Sequence, residues 1–183
     1  MQAILKLDIA GQPRGWITVY EAVTAYAKDE VVYGIGGALP PVMGGTQKLT
    51  GEQSRIDLQP IIALQGRVRK GYSLSLCNKT LFRRDDHRCL YCGEQNPRSQ
   101  LTRDHVLPTS RGGTDRWENV VAACHRCNWK KDNRTPEEAN MPLLAVPFKP
   151  NIWEWHFLAK DRILADQMDY LSQQFSNKRS WIN

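Results

Sequence analysis

The sequence predicts an α+β protein with a central ββα unit whose two ends are stapled by a zinc ion, and with further helices and strands on both sides. Four of the five cysteines form two Cys-x-x-Cys pairs, Cys89 with Cys92 and Cys124 with Cys127. Each pair places two soft thiolates on one turn, and two such turns make a closed tetrahedral zinc site. Residues 93–123, between the pairs, leave room for a two-stranded hairpin. A unit of this size has little core of its own, so the metal is expected to stabilise it.

The N-terminal part combines strand and helix patterns. Residues 4–9 alternate apolar and polar side chains for part of their length, which predicts a short strand. The apolar run at 60–64 predicts a buried strand. Thr18, followed three residues later by Glu21, forms a capping box that starts a helix. Glycines and prolines spread over residues 34–53 predict an irregular loop.

Three segments are expected along the chain. They are an N-terminal α/β segment with the Gly/Pro-rich loop (1–78), the zinc-holding unit (79–140), and a C-terminal extended segment with an amphipathic helix (141–183). The first segment is short and rich in loops, so its independence as a domain stays open. A short helix is predicted at 79–88, another beginning at Thr135, and a longer one at about 159–175.

Composition is typical of a soluble globular protein. The chain has 183 residues, of which 41% are hydrophobic and 24% charged. No apolar run reaches the length of a membrane span, and the N-terminus lacks the pattern of a secretory signal. We therefore expect a cytoplasmic protein, in which reduced thiols are better used as zinc ligands than as disulfides. The fifth cysteine, Cys77, is expected to be a small buried side chain.

Positive charge is concentrated on the segment that holds the cysteine pairs. The net charge of the chain is +6. Residues 79–134 carry 12 basic and 7 acidic side chains, which is +5, whereas residues 1–78 carry +2 and residues 135–183 carry −1. Such clustering favours a polyanionic partner such as nucleic acid, although ordinary solubility would also explain it.

Between the cysteine pairs lies a set of residues suited to metal and proton chemistry. Asp104 and His105 are predicted on the first strand of the hairpin, residues 119–123 on the second, and Asn128 near the start of the helix. Asp104 and His105 would point to opposite faces of a regular strand, so the strand must end, bend or twist there for both to serve one site.

These residues resemble the HNH endonuclease family in its zinc-bound, four-cysteine form. The resemblance covers roughly residues 80–140, and several separate elements occur in order. The matching stretches are Cys89–Gly93, Leu101–Pro108, Gly112–Val121 and Cys124–Asn128, with Lys131.

The resemblance implies a metal-dependent endonuclease that nicks or cuts DNA with a ββα-metal unit. His105 would be the general base that activates water. Asp104 and Asn128 would hold one catalytic divalent ion, Mg²⁺ or Mn²⁺, with other ions left open. Asn119 would either brace the loop so that His105 points correctly or reach the metal itself. The signature therefore reads His-Asn-Asn, whereas some members carry histidine at the third position.

Elementary chemistry agrees with those roles. A phosphodiester is an anion with a poor leaving group. A hard cation bound by oxygen donors neutralises negative charge on the phosphate and on the leaving oxygen. Carboxylate and amide oxygens suit Mg²⁺ or Mn²⁺. An imidazole ionises near neutral pH, so it is a suitable base for a water molecule.

Contacts with the DNA backbone are expected from basic side chains of the same segment, although each could equally be a solvated charge. They are Arg103, Arg111, Arg126, Lys130, Lys131 and Arg134. Trp117 and Trp129 are expected to pack in the core, and the loop at 34–53 could alternatively be a flap that faces DNA. The alternative function is a non-catalytic zinc module that binds nucleic acid. No membrane is expected among the partners, and a homodimer stays open.

Overall fold

The computed structural model describes residues 2–66 and 74–176 of the chain. Within them the protein is a mixed α+β structure with several small sheets and five α-helices, so the predicted fold class is confirmed. The chain divides into two compact units, one made of residues 1–72 and 160–174 and the other of residues 73–159 with the segment from Phe175 onward. The three segments expected from the sequence stay a prediction.

The first unit is built on strands. Its elements in chain order are β1 (Ala3–Leu7), β2 (Pro13–Thr18), α1 (Val19–Ala27), β3 (Val31–Ile35), β4 (Val42–Thr46), β5 (Gln53–Ile56), β6 (Ile61–Leu64) and a helix near the C-terminus described below. Four strands form one sheet in the order β2-β1-β6-β3, in which β1 and β6 are parallel and the other pairs antiparallel. The strands expected at 4–9 and 60–64 are confirmed.

Helix α1 covers the apolar side of this sheet. It begins where the sequence predicts, because Thr18 Oγ1 accepts from Glu21 N at 3.2 Å while the Glu21 carboxylate accepts from Thr18 N at 2.7 Å. Ala22 of the helix packs with the fully buried Ile4 and Ile62 of the sheet. This apolar cluster is the core of the first unit.

The segment at 34–53 differs from its prediction. An irregular loop was expected, but part of it forms β4, which pairs with β5 as a separate two-stranded antiparallel sheet. Its side chains are largely exposed. Glycine and proline punctuation conceals such a hairpin because the strands are held by backbone hydrogen bonds and not by an apolar pattern.

The second unit contains the predicted ββα arrangement. Its elements are α2 (Asn78–Arg84), β7 (Leu101–His105), β8 (Val120–Cys124), α3 (His125–Lys131) and α4 (Ile152–Ala159). Strands β7 and β8 are antiparallel, with Leu101 opposite Cys124 and His105 opposite Val120. Helix α3 follows β8 without a loop. The short helix predicted at 79–88 is confirmed as α2, which ends at Arg84.

A buried ion pair joins α2 to the sheet. Arg84 donates from Nε to Asp85 Oδ1 at 2.8 Å, and both side chains are removed from solvent. The Arg84 guanidinium also donates to the carbonyl oxygens of Trp117 and Val120, each at 2.7 Å. Asp85 in turn accepts from Ala122 N at 2.7 Å. The backbone around β8 thus supplies hydrogen-bond partners to both buried charges. These hydrogen bonds hold in place the strand that leads into Cys124.

Two helix predictions for the C-terminal part are wrong. A helix was expected to begin at Thr135, but the chain makes only a turn there, and Asn140 takes a left-handed conformation with φ of 52°. One helix was expected at 159–175, but α4 ends at Ala159 and α5 (Ala165–Ser172) begins separately. Helix α5 belongs to the first unit, where Gln167 donates to the carbonyl oxygens of Ala3 and Pro60. Tertiary packing therefore decides where these helices end.

The described helices run to at most nine residues. None of them has the length and apolar character needed to cross a membrane.

Candidate active site

The four paired cysteines come together in the second unit. Their sulfur atoms all lie within 4.8 Å of one another, although the pairs are far apart in sequence. Three of the cysteines are buried, and Cys92 is exposed. A tetrahedral zinc ion with Zn–S bonds of about 2.3 Å places its sulfurs about 3.8 Å apart, so the four thiols fit such an ion. Cys77 does not join them and is exposed, so its expected burial is wrong.

Backbone turns place the thiols. Gly93 has φ of 77°, a left-handed conformation that glycine adopts without strain, and its N donates to Cys89 O at 2.9 Å. On the other side, Cys124 caps α3, and its sulfur accepts from Cys127 N at 3.4 Å. Burial first, and then the neighbouring thiols, raise the pKa of the Cys127 thiol. Crowded thiols of this kind favour a cation that takes them as thiolates.

Asp104 is buried between β7 and α3. Lys131 Nζ, at the last position of α3, donates to Asp104 Oδ1 at 3.1 Å, and the Tyr91 hydroxyl donates to Oδ2. Asp104 is 5% exposed and Lys131 is wholly buried. Burial first, and then the hydrogen bond to Asp104, raise the pKa of Tyr91. The sequence pattern singled out Lys131 for DNA and overlooked Tyr91, but both contact this carboxylate.

Asn128 lies on the same side of β7 as Asp104. Its amide nitrogen donates to Thr102 Oγ1 at 2.8 Å. Thr102 and Asp104 are two apart on the strand, and Asn128 and Lys131 are three apart on the helix, so the two side-chain contacts form parallel links between β7 and α3. The amide oxygen of Asn128 is the end of that side chain suited to a cation.

His105 lies on the other face of β7, at its last residue. Its Nε2 is 3.2 Å from Asp115 Oδ1, and its side chain is 23% exposed. Arg103, two residues earlier on the same face, donates to the second oxygen of Asp115 and also, from Nε at 3.0 Å, to Asn78 Oδ1. The Arg103 hydrogen bond, and to a lesser extent the His105 ring, hold the pKa of Asp115 below its ordinary value.

Asn119 holds the loop that follows His105. Its side-chain oxygen accepts from Leu107 N at 2.9 Å, while its amide nitrogen donates to Leu107 O at 3.1 Å and to Thr114 O at 3.0 Å. Its backbone oxygen accepts from Val106 N at 2.9 Å. All the hydrogen-bonding groups of the amide side chain are therefore used to close the loop at residues 107–114.

The four predicted catalytic side chains thus fall into two groups. Asp104 and Asn128 lie between β7 and α3, whereas His105 and Asn119 lie toward the loop at residues 107–119. Among the described residues, His105 shares no side-chain hydrogen bond with Asp104 or Asn128. The strand ends at His105. A strand end was one of the three conditions under which Asp104 and His105 were expected to serve one site. Asp115 was missed, and its position after the Gly112-Gly113 turn was the one signal that could have suggested it.

The six basic residues expected at DNA differ in their surroundings. Lys130 is exposed, Arg126 is exposed beside Glu94, and Arg111 donates to Glu138. Arg134 donates to the carbonyl oxygens of Lys130 and Lys131. The remaining two, Arg103 and Lys131, contact Asp115 and Asp104 as described above.

The two tryptophans near the site also differ from each other. Trp117 is 4% exposed, as expected for a core residue. Trp129 is 83% exposed on α3, so its expected packing in the core is wrong. Helix α3 has seven residues, about two turns. Position 129 falls on its outer face, together with His125 and Arg126.

A two-stranded antiparallel sheet that runs directly into a helix, with four thiols clustered at its ends, defines a metal-stapled ββα unit. The model of the HNH endonuclease family matches residues 89–144, which contain β7, β8, α3 and all four clustered thiols. The chain is also 43% identical over 51 residues to a CRISPR-associated endonuclease Cas9 of Corynebacterium diphtheriae. Residues 89–144 are thus similar to the HNH endonuclease family, and these likenesses support a nuclease.

The similarity to that relative is confined to a small region. It covers 27% of this chain and 5% of the length of the Cas9 protein.

Proposed function

We propose that the protein is a metal-dependent endonuclease that hydrolyses phosphodiester bonds of DNA, with His105 as the general base. The observation that carries this proposal is the position of His105. It is the last residue of β7 within the segment matched to the family, its ring is partly exposed, and its Nε2 is engaged by Asp115. A partly exposed imidazole at a strand end is accessible to a water molecule that lies beside a phosphate.

Two metals are part of the proposal. The four clustered cysteines would hold a structural zinc ion, since thiolates fill all four positions and leave none for catalysis. Asp104 and Asn128 would hold a Mg²⁺ or Mn²⁺ ion. They fit it in donor type, because both offer oxygen and lie on the same side of β7, and such ions keep several waters. When bound, this ion would stabilise the negative charge that develops on the phosphate and leaving oxygen.

The chain's own residues would do the rest. His105 would take a proton from water, and Asn119 would keep the following loop closed so that the ring stays in place. A phosphate lying across the end of β7 could reach both faces of the strand, which is how His105 and Asp104 would serve one site. One such unit cuts one strand in each event, so a double-strand break would require a homodimer or two successive nicks.

DNA is the proposed substrate because of the outer face of α3. Arg126 and Lys130 are exposed there beside Trp129, and Trp129 offers a flat surface for a sugar or a base. Contacts of this kind go to the backbone and predict weak sequence preference with a steep dependence on salt. Reduced thiols agree with a cytoplasmic location.

One observation favours the alternative of a non-catalytic zinc module that binds nucleic acid. Both oxygens of Asp104 already accept hydrogen bonds, from Lys131 and Tyr91, as a structural carboxylate would. A carboxylate has further lone pairs, so these bonds do not prevent it from holding an ion. Activity has to separate the two functions.

Nicking of a supercoiled plasmid tests the proposal. The purified chain is incubated with Mg²⁺, with Mn²⁺ or with no added divalent ion, and its zinc content is measured alongside. Cleavage should require the added ion and fall about 10²–10⁴-fold in His105→Ala, which should keep its zinc and its fold. The control Tyr20→Ala removes an exposed aromatic ring from α1 and should leave cleavage unchanged. Full activity of His105→Ala, or no cleavage by the parent chain with either ion, would reject the proposed function.

A further inference from the structure

The carboxylate of Asp115 joins two side chains that β7 presents on one face. Its Oδ1 lies 3.2 Å from His105 Nε2, and its Oδ2 accepts from Arg103. Arg103 is itself held by Asn78 Oδ1, at the start of α2. The four side chains form a continuous hydrogen-bonded row that ends on the imidazole.

We propose that Asp115 is the positioning residue of His105: it fixes the ring as the tautomer with a proton on Nε2, so that Nδ1 is the atom that takes the proton from water. The inference rests on the proposed function for its catalytic meaning, but the ring contact itself can be measured without any substrate.

The direction of the hydrogen bond follows from the chemistry of the two groups. An ionised carboxylate can only accept, so the proton shared with Asp115 must belong to Nε2. A neutral imidazole carries a single N–H, which leaves Nδ1 with its lone pair. The Arg103 guanidinium favours the ionised form of Asp115, in agreement with its lowered pKa.

The backbone around Asp115 is anchored on both sides, so the contact is not a chance pairing of mobile side chains. On one side, Asn119 Nδ2 donates to Thr114 O at 3.0 Å. On the other side, Trp117 is buried, and its carbonyl oxygen accepts from the buried Arg84. A carboxylate fixed in this way can orient the ring, although it is itself half exposed.

The proton balance of the step is simple. An O–H bond of water breaks and its proton moves to Nδ1, while the water oxygen forms a bond to phosphorus and the bond from phosphorus to the leaving oxygen breaks. The leaving oxygen takes a proton from solvent. Asp115 stays ionised throughout and faces the positive charge that the imidazolium acquires.

Nuclear magnetic resonance of the zinc-loaded chain labelled with ¹⁵N in histidine tests the contact directly. Long-range proton–nitrogen correlations should identify the His105 ring, assigned by its loss in His105→Ala, as the tautomer protonated on Nε2. Asp115→Ala should convert it to a mixture of tautomers. The matched control is Glu118→Ala, which removes an exposed acid from the same loop and should leave the ring as it is. A His105 ring protonated on Nδ1 in the parent chain would overturn the inference.

Cleavage by the same variants tests the positioning role. Asp115→Ala should lower kcat about 10–100-fold with little change in KM. In a His105→Ala background the same substitution should cost less than about twofold, because Asp115 acts through that ring. Equal losses in both backgrounds, or an unchanged kcat, would reject positioning. Should Asp115→Ala lose its fold or zinc, Asp115→Asn preserves the shape without the charge and must show the same pattern of kcat losses.

The two tests separate this inference from the proposed function. A parent chain that cleaves no DNA, but shows the Nε2-protonated ring and its loss in Asp115→Ala, would reject the nuclease and keep the contact. If the parent chain cleaves DNA and Asp115→Ala cleaves it with the same kcat, the nuclease is kept and the positioning role of Asp115 is rejected.

Discussion

Lys131 and Asp104 form an ion pair inside the ββα unit: Nζ lies 3.1 Å from Oδ1, and the two side chains are 1% and 6% exposed. The pair joins the last residue of α3 to the strand beside it. Two charges removed from water in this way stabilise a fold only when both are present, since either one alone is left without its counter-charge.

Replacing the lysine should therefore destabilise the protein severely. We expect Lys131→Met to lower the free energy of unfolding by about 3–5 kcal/mol, because it leaves a buried carboxylate with only the Tyr91 hydroxyl. Urea unfolding measures the change. Lys130→Ala removes the exposed neighbouring charge and should change stability by less than about 0.5 kcal/mol. A stable Lys131→Met would show that Asp104 has another source of compensation.

The thiol cluster predicts one tightly bound zinc ion in each chain. Cys124→Ser should lose the metal measured by atomic emission and lower the unfolding midpoint, because the small unit depends on the metal. The control Cys77→Ser removes the exposed fifth thiol and should keep both metal and midpoint. Stoichiometric metal retained by Cys124→Ser would place the ion elsewhere.

Gly113 occupies a place where no side chain fits. A Cβ there would lie 1.8 Å from Leu107 O, so Gly113→Ala must displace the loop that Asn119 closes. We expect a loss of about 1–3 kcal/mol in stability, together with slower plasmid nicking. Gly45→Ala is the matched control, since nothing lies within 4 Å of the added carbon. Normal nicking by Gly113→Ala would mean that the loop geometry does not affect the site.

Asp8 predicts an acid-sensitive contribution to the stability of the first unit. Burial alone would raise its pKa, but hydrogen bonds from Gln12 N, Arg14 and Ala10 N outweigh burial and hold the pKa below the ordinary value of 3.8. A lowered pKa in the folded state stabilises the protein above about pH 4, and this contribution is lost as the pH falls through the folded value.

Asp8→Asn should thus cost about 2 kcal/mol at pH 7 and progressively less below pH 4, as measured by urea unfolding at each pH. Asp57→Asn, which removes an exposed partner of Arg55, should cost less than about 0.5 kcal/mol throughout. An equal loss from Asp8→Asn at pH 7 and pH 3 would contradict the expected linkage.

Lys130 is expected to contact the DNA backbone. Lys130→Ala should weaken binding to all duplex sequences alike and reduce the slope of log affinity against log salt by about 0.9, as expected for one lost phosphate contact. Lys28→Ala removes an exposed lysine beyond α1 and should leave the slope unchanged. A constant slope in Lys130→Ala would remove the outer face of α3 from the DNA surface.

Much of the central unit could be read from the sequence because its signals are local. The Cys-x-x-Cys spacing predicted the thiol cluster, and the Thr18–Glu21 box predicted the start of α1, since each depends on atoms within a few residues. The proposed roles of Asp104, His105, Asn119 and Asn128 stay predictions, although the structure adds that Asn119 closes a loop.

The tertiary structure alone decided which charged side chains are neighbours. Lys131 looked like a phosphate contact and is buried on Asp104, and Trp129 looked like a core residue and is exposed. Asp115 was missed, because its place after a glycine turn does not reveal that it contacts His105. The physical reason is that spacing along the chain determines turns, caps and ligand pairs, whereas burial and charge pairing depend on which segments pack together. The sequence by itself therefore determined the metal-stapled scaffold, and packing across the chain decided the partners of its charged and aromatic residues.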